Sequence, residues 1–379
     1  MPSSASKTDV PIVAKKIWDL EASRRADGGL PKESDLRGEI HPDLVRYKGY
    51  WYCGLKESPL RRFRVIRSPG GERWESVRVF AWGEEGELGD PKFSITADGA
   101  LMINTWAKDT TPLPGATGRS PTWTASVSWL TRDGLDWGHV SACPTGFASR
   151  SVVRYSTTWF RGKGYSISSR SGDLCGTLDG KMWRLLVGNV FSSWDAPEAT
   201  EEMLRSFDPN DIHQSEDQAP RAPSETALAF HPQDGTACAV SRTHPIYAII
   251  GKASPPEYDE WTWKPARVDW DGDGRLLPAR EKLGVQMGGP VLRYLSNGAL
   301  LAAARADATT PGKPKGRLTL FIVDRDQGIL RRWGDFDGYS HYPGVVEHEG
   351  ELWISCGKQQ KADPFEVYLL KVPLPTVDG

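Results

Sequence analysis

Six times along this chain a short apolar run meets a tight glycine turn and is answered by a second apolar run. The pairs are Leu44 to Cys53 about Gly49, Phe93 to Ile103 about Gly99, Val153 to Ile167 about Gly164, Ala227 to Val240 about Gly235, Val291 to Ala303 about Gly298, and Val345 to Ile354 about Gly350. Asp-Gly at 98–99 and 234–235 and Asn-Gly at 297–298 are strong hairpin signals, because the turn needs positive φ. The glycines recur roughly every 50 to 70 residues, the spacing of one four-stranded blade. Further strands are expected at Arg64–Arg67, Thr124–Trp129, Ala248–Lys252, Leu318–Val323 and Val367–Val372. Pro11–Trp18 is placed to add the outermost strand of the last blade, which would close the ring and remove an exposed edge.

The pattern predicts an all-β fold, a six-bladed β-propeller forming one domain over residues 1–379, with seven blades as the alternative. One stretch breaks it. Residues 195–207 carry proline and acids ahead of a helical run, a capped-helix signature. With its flanks, about 190–223, it is expected to insert before the fourth blade as an acidic lid.

Composition agrees. The chain of 379 residues holds 39 Gly, 28 Pro and 16 Trp, which suits turn-rich sheets with aromatic packing or sugar-stacking surfaces. With 47 basic and 49 acidic residues and no basic stripe interleaved with aromatics, nucleic acid is not an expected partner. No apolar run is long enough to span a membrane, and no apolar segment follows Met1, so no signal peptide is read. The five Cys are odd in number and widely spaced, as buried free thiols would be, which leans towards a reducing, cytoplasmic location.

Residues at fixed distances from the turn glycines come level around a propeller. Seven positions after them stand Lys56, Trp106, Ser171, Arg242, Arg305 and Gly357. Eight to ten positions before them stand His41, Asp90, Glu225, Gly289 and Tyr342 in five of the blades. Polar and chargeable groups therefore converge on one mouth of the channel, where a binding or catalytic site is expected. Each also has a plainer reading: a strand-end arginine in a salt bridge, a solvated loop glutamate, a hydrogen-bonded core tyrosine. Asp269, Asp271 and Asp273 match the first half of a calcium loop. The twelfth position is Arg280, so a polar hairpin turn is the competing reading and no other cofactor is expected.

Thr131 to Trp137 reads Thr-Arg-Asp-Gly-Leu-Asp-Trp and Thr177 to Trp183 reads Thr-Leu-Asp-Gly-Lys-Met-Trp, with Ser68 to Trp74 a degenerate third. These resemble the Asp-box hairpin of the sialidase superfamily, one residue shorter than usual. The strand openings Asp90-Pro-Lys, Ser224-Glu-Thr-Ala-Leu and Met287-Gly-Gly-Pro are similar to those of uncharacterised sialidase-like proteins. The resemblance spans about residues 39–372. It implies a glycosidase with an arginine triad for a substrate carboxylate, a Tyr nucleophile assisted by a Glu, and an Asp acid/base. On that pattern Tyr342 is the nucleophile, Glu225 its partner, and Arg242 with Arg305 or Arg317 belongs to the triad. The first triad Arg is absent, since blade one opens Glu39-Ile-His41-Pro, and Ser58 to Phe63 supplies no acid. His41 and Asp90 are the substitute proton carriers, and an early-blade His is similar to the layout of propeller lyases acting on uronate-linked sugars.

Three functions follow as expectations. The first is an exo-glycosidase cleaving a terminal acidic sugar, with Lys56, Trp106 and the arginines binding substrate. The second is a polysaccharide lyase working by β-elimination. The third is a carbohydrate-binding propeller that stacks sugars on Trp106 and Trp123.

Overall fold

The computed structural model describes residues 10–28, 40–83, 86–108, 124–140, 151–169, 171–194, 223–243, 248–272, 274, 276–277, 285–308, 316–358 and 366–376. The expected helix at 197–207 and most of the expected lid lie outside the described residues, as do Trp123 and Asp273.

Six antiparallel blades make a ring. Blade one is Asp43–Tyr47, Tyr50–Glu57, Arg62–Ser68 and Glu75–Phe80. Blade two runs Lys92–Ile95, Leu101–Lys108, Thr124–Thr131 and Gly138–Val140; blade three runs Thr158–Phe160, Lys163–Ser169, Leu174–Thr177 and Trp183–Val187. Blade four is Pro223–Phe230, Ala237–Thr243, Ala248–Ala253 and Trp261–Pro265, and blade five is Val285–Tyr294, Leu300–Ala308, Arg317–Asp324 and Ile329–Phe336. Blade six is Tyr339–His348, Glu351–Lys358 and Glu366–Pro373, with Val13–Asp19 as its fourth strand, antiparallel to the third. The N-terminal strand thus closes the ring as the sequence leads one to expect. Each innermost strand packs beside the innermost strands of both neighbouring blades, all the way round.

Hydrophobic alternation sets this arrangement, because blade faces must bury apolar side chains against the next blade. A separate buried cluster fills each inter-blade space: Trp51, Leu55 and Trp353 between blades six and one, for example, and Val240, Ala302 and Phe321 between four and five. Trp51 and Trp353 stack with ring centroids 4.2 Å apart. Cys53, Cys175, Cys238 and Cys356 are buried free thiols inside these layers.

Two details differ from the sequence reading. In blade three the turn is Arg161-Gly162, with Phe160 paired to Lys163; the backbone there has φ of 46° and 81°, the double positive φ of a tight hairpin. Gly164 instead lies in the strand, pressed against Trp159. The one α-helix among the described residues is Leu20–Asp27, capped by the Asp19 carboxylate, which accepts from the Ala22 amide. Asp27 at its far end accepts from Arg62 and Arg64 of blade one, and Glu57 accepts from the same two arginines.

The two Thr-x-Asp-Gly turns are folding devices. Asp133 accepts from the Leu135 and Asp136 amides, both at 2.8 Å, and Asp179 from the Lys181 and Met182 amides at 2.8 and 3.0 Å. Trp137 and Trp183 are buried beside them. The amides hold the Asp133 carboxyl down at about 2. Asp269 plays a similar part, accepting from the Gly272 amide, so the structure uses this carboxylate to close a turn. Among the described residues no helix is long and apolar enough to cross a membrane.

Candidate active site

Three interruptions of the ladder build the site. Pairing of the first two strands shifts between Pro223 and Thr226 in blade four, between Gly288 and Val291 in blade five, and between Ser340 and Gly344 in blade six. A shift of this kind frees a residue from the alternation and re-aims it. Glu225, Gly289 and Tyr342 are the residues freed. His41 and Asp90 sit just ahead of the innermost strands of blades one and two.

These five meet. Tyr342 donates its hydroxyl proton to Glu225 Oε1 at 2.6 Å. Glu225 Oε2 accepts from the Gly289 amide at 2.8 Å and from Arg242 Nη1 at 3.3 Å. The same Arg242 nitrogen lies 3.2 Å from the Tyr342 oxygen. On the other face the His41 ring stacks on Tyr342, with centroids 3.9 Å apart and planes 6° from parallel. His41 Nδ1 is 2.5 Å from Asp90 Oδ1, and Lys56 Nζ approaches the same oxygen at 3.4 Å. Lys56 also lies 5.1 Å from the Trp106 ring centre, so both belong to the Asp90 side. The Arg305 guanidinium stands 5.4 Å from the centre of the Tyr342 ring.

Gly289 shows how closely this is fitted. Its φ is +59°, and a Cβ there would fall 2.0 Å from Tyr342 Cγ; only glycine lets the phenol ring lie across that backbone.

The groups are buried, and burial governs their protonation. Burial alone would raise the Glu225 carboxyl, but Arg242, the Tyr342 hydroxyl and the Gly289 amide outweigh it and hold the carboxyl below its ordinary value. Burial and the Glu225 charge push the Tyr342 phenol well above 10. For Asp90, burial is outweighed by His41 and Lys56, which keep it well below the usual carboxylate range. At neutral pH the resting pair is therefore phenol and carboxylate, with Asp90 ionised beside His41.

Arg317, paired across the strands with Ala306 beside Arg305, is held by Asp335 and Asp337 at 3.4 and 3.0 Å, and no contact joins it to Glu225 or Tyr342 among the described residues. The structure adds two groups that sequence reasoning missed. Tyr155 is blade three's member of the ring, its ring 6.5 Å from that of Tyr342, and Lys92 Nζ lies 5.3 Å from the centre of the Tyr155 ring. Tyr155 stands nine residues before Gly164, inside the same eight-to-ten window that holds the other five, and that spacing is the signal that could have found it.

Among the described residues no three His, Cys, Asp or Glu side chains cluster as a metal site would need.

No family model and no curated protein sequence matches the chain. Solved structures do. A protein of unknown function from Dyadobacter fermentans superposes with a TM-score of 0.68 at 12% identity, over 97% of this chain and 100% of that one. An α-L-arabinanase from Penicillium chrysogenum, solved with arabinobiose, gives 0.57 at 12%, over 96% and 98%. The NanB sialidase of Streptococcus pneumoniae gives 0.59 at 10%, over 90% of this chain and 69% of that one. This chain has their fold. The six-bladed ring is common to it and to sialidases and arabinanases, while identities near one in ten leave the chemistry to be argued from the residues at the mouth.

Proposed function

We propose that the chain is a carbohydrate-active enzyme, a glycosidase that removes a terminal acidic sugar bound at the channel mouth. The observation that carries this reading is the 2.6 Å hydrogen bond from Tyr342 to Glu225, made between blades six and four and braced by Arg242. A core tyrosine needs no ionised partner, and a solvated glutamate needs no burial. A phenol with a carboxylate poised to take its proton is a usable nucleophile.

In the reaction Glu225 accepts the phenol proton as the Tyr342 oxygen bonds to the anomeric carbon. The bond to the leaving-group oxygen breaks, and that oxygen takes a proton from His41. Asp90 orients the imidazole and stabilises its charged form. Water then attacks the anomeric carbon, gives a proton back to His41, and frees Tyr342, which recovers its own proton from Glu225. Because the resting phenol is held well above 10, proton transfer must accompany attack rather than precede it. Arg242 offsets the charge on Glu225 and Tyr342 throughout, and Arg305, over the Tyr342 ring, is the guanidinium assigned to a substrate carboxylate.

The His41–Asp90 pair supports a second reading. In a β-elimination His41 would take the proton beside a uronate carboxylate, Tyr342 would protonate the departing oxygen, and Arg305 would neutralise the carboxylate. Product analysis separates the two. Hydrolysis yields a saturated free sugar, whereas elimination yields an unsaturated uronate that absorbs in the ultraviolet. An absorbing product would overturn the glycosidase in favour of the lyase.

A further inference from the structure

Beside the Tyr342–Glu225 pair lie two hydrogen-bond donors that the chemistry above does not use. Lys92, in the innermost strand of blade two, and Tyr155, at the head of blade three, are 4% and 7% exposed. Neither the Lys92 ammonium nor the Tyr155 hydroxyl makes a hydrogen bond with another protein group among the described residues. Buried polar groups are nearly always paired, and leaving one unmade costs stability.

Neither residue reads as scaffold. A lysine serving only as counter-ion would close a salt bridge; Lys92 acts on the Asp43 and Asp90 carboxylates by charge, yet among the described residues it closes a bridge with neither, and Asp90 gives its contacts to His41 and Lys56. A tyrosine serving only as packing could be phenylalanine. The Tyr155 phenol, however, lies within electrostatic range of Glu225, Tyr342 and Asp90, and its ring meets that of Tyr342 edge to face. Arg305 adds positive charge on the same tyrosine's ring. Two donors without a hydrogen-bond acceptor among the described residues, one of them an ammonium, call for an acceptor from outside, and the ammonium favours a negatively charged one.

We propose that Lys92 and Tyr155 form a subsite that binds an anionic oxygen group of the sugar, a carboxylate or a sulfate ester. This rests on the reading of the mouth as a sugar site, and it assigns specificity to residues outside the arginines and outside the reacting pair.

The test is calorimetric binding, which does not depend on turnover. The probes are D-glucuronic acid, D-galacturonic acid, N-acetylneuraminic acid and D-glucose 6-sulfate, each compared with its neutral counterpart: the methyl ester for the acids, glucose for the sulfate. Wild-type protein is expected to prefer at least one charged probe over its neutral counterpart, and the identity of that probe tells carboxylate from sulfate. Lys92→Met is expected to weaken the charged probe roughly ten- to hundredfold while leaving the neutral one nearly unchanged. Tyr155→Phe removes one oxygen and no protein hydrogen bond among the described residues, so it should keep or raise the melting temperature while weakening the charged probe about tenfold. A purely structural tyrosine would not give that opposite pair of changes. An unchanged preference in folded Tyr155→Phe overturns the proposal, as does a wild-type protein with no preference for any charged probe. Failure of the nucleophile assignment is read separately, in turnover by Tyr342→Phe, and leaves these binding results untouched.

Discussion

Glu225→Gln removes a negative charge while keeping the shape of the side chain. Three donors converge on the carboxylate: Tyr342 at 2.6 Å, the Gly289 amide at 2.8 Å and Arg242 at 3.3 Å. An amide can accept from one side only, so its NH2 group must face either the phenol or the amide and Arg242 pair. One acceptor is lost and Arg242 loses its counter-charge. Removing one partner of a fully buried pair costs about 3–5 kcal/mol. Here Glu225 and Arg242 keep 19% and 12% side-chain exposure, and the amide oxygen retains part of the bonding, so a loss of about 1–3 kcal/mol is expected in urea unfolding.

The pH dependence carries a sign. Glu225 is held below its ordinary value, so the stability it contributes is fully present above the unfolded carboxyl value and is lost as pH falls through the lower folded one. Wild type and variant should differ most above about pH 5 and converge in acid. Turnover should fall by at least about two orders of magnitude, the scale of lost general-base help. Equal stability of the two proteins at neutral pH, together with full turnover, would refute the view that Glu225 is the ionised partner of Tyr342.

Other perturbations follow from the same geometry. Gly289→Ala places a Cβ where Tyr342 Cγ lies and should cut turnover about a hundredfold while the strand-rich circular dichroism spectrum persists. Asp90→Asn removes the orienting partner of His41 and should lower turnover by at least about tenfold. Since Asp90 is held low, the same variant should lose stability at neutral pH and narrow its deficit towards wild type in acid. Asp179→Ala gives up two turn hydrogen bonds and should cost about 1 kcal/mol in thermal unfolding with turnover unchanged.

The ring was legible because its punctuation is physical. Gly49, Gly99, Gly235, Gly298 and Gly350 all have positive φ, so the sequence could hardly place other residues there. Counting from those glycines brought His41, Asp90, Glu225, Gly289 and Tyr342 to one mouth, where the structure joins them. The turn was misplaced in blade three because Arg161-Gly162-Lys163-Gly164 offers two glycines, and local pattern does not say which one turns. Tyr155 lay inside the counting window but reads there as an ordinary strand-side aromatic. Lys92 was hidden differently: in a strand a lysine reads as an outward-facing polar residue, and only the closed ring buries it over the Tyr155 ring. Helix Leu20–Asp27 escaped because its stability is tertiary. Asp27 is fixed by Arg62 and Arg64 from another part of the chain, a contact no window of sequence contains.

The central claim is that the Tyr342 phenol, served by Glu225, performs chemistry on a sugar. It is tested most directly by measuring turnover and sugar binding of Tyr342→Phe on one substrate, with the wild-type product analysed in parallel. The account predicts a saturated product, binding nearly unchanged, and turnover reduced by at least about two orders of magnitude. Full turnover by a folded Tyr342→Phe protein would contradict it.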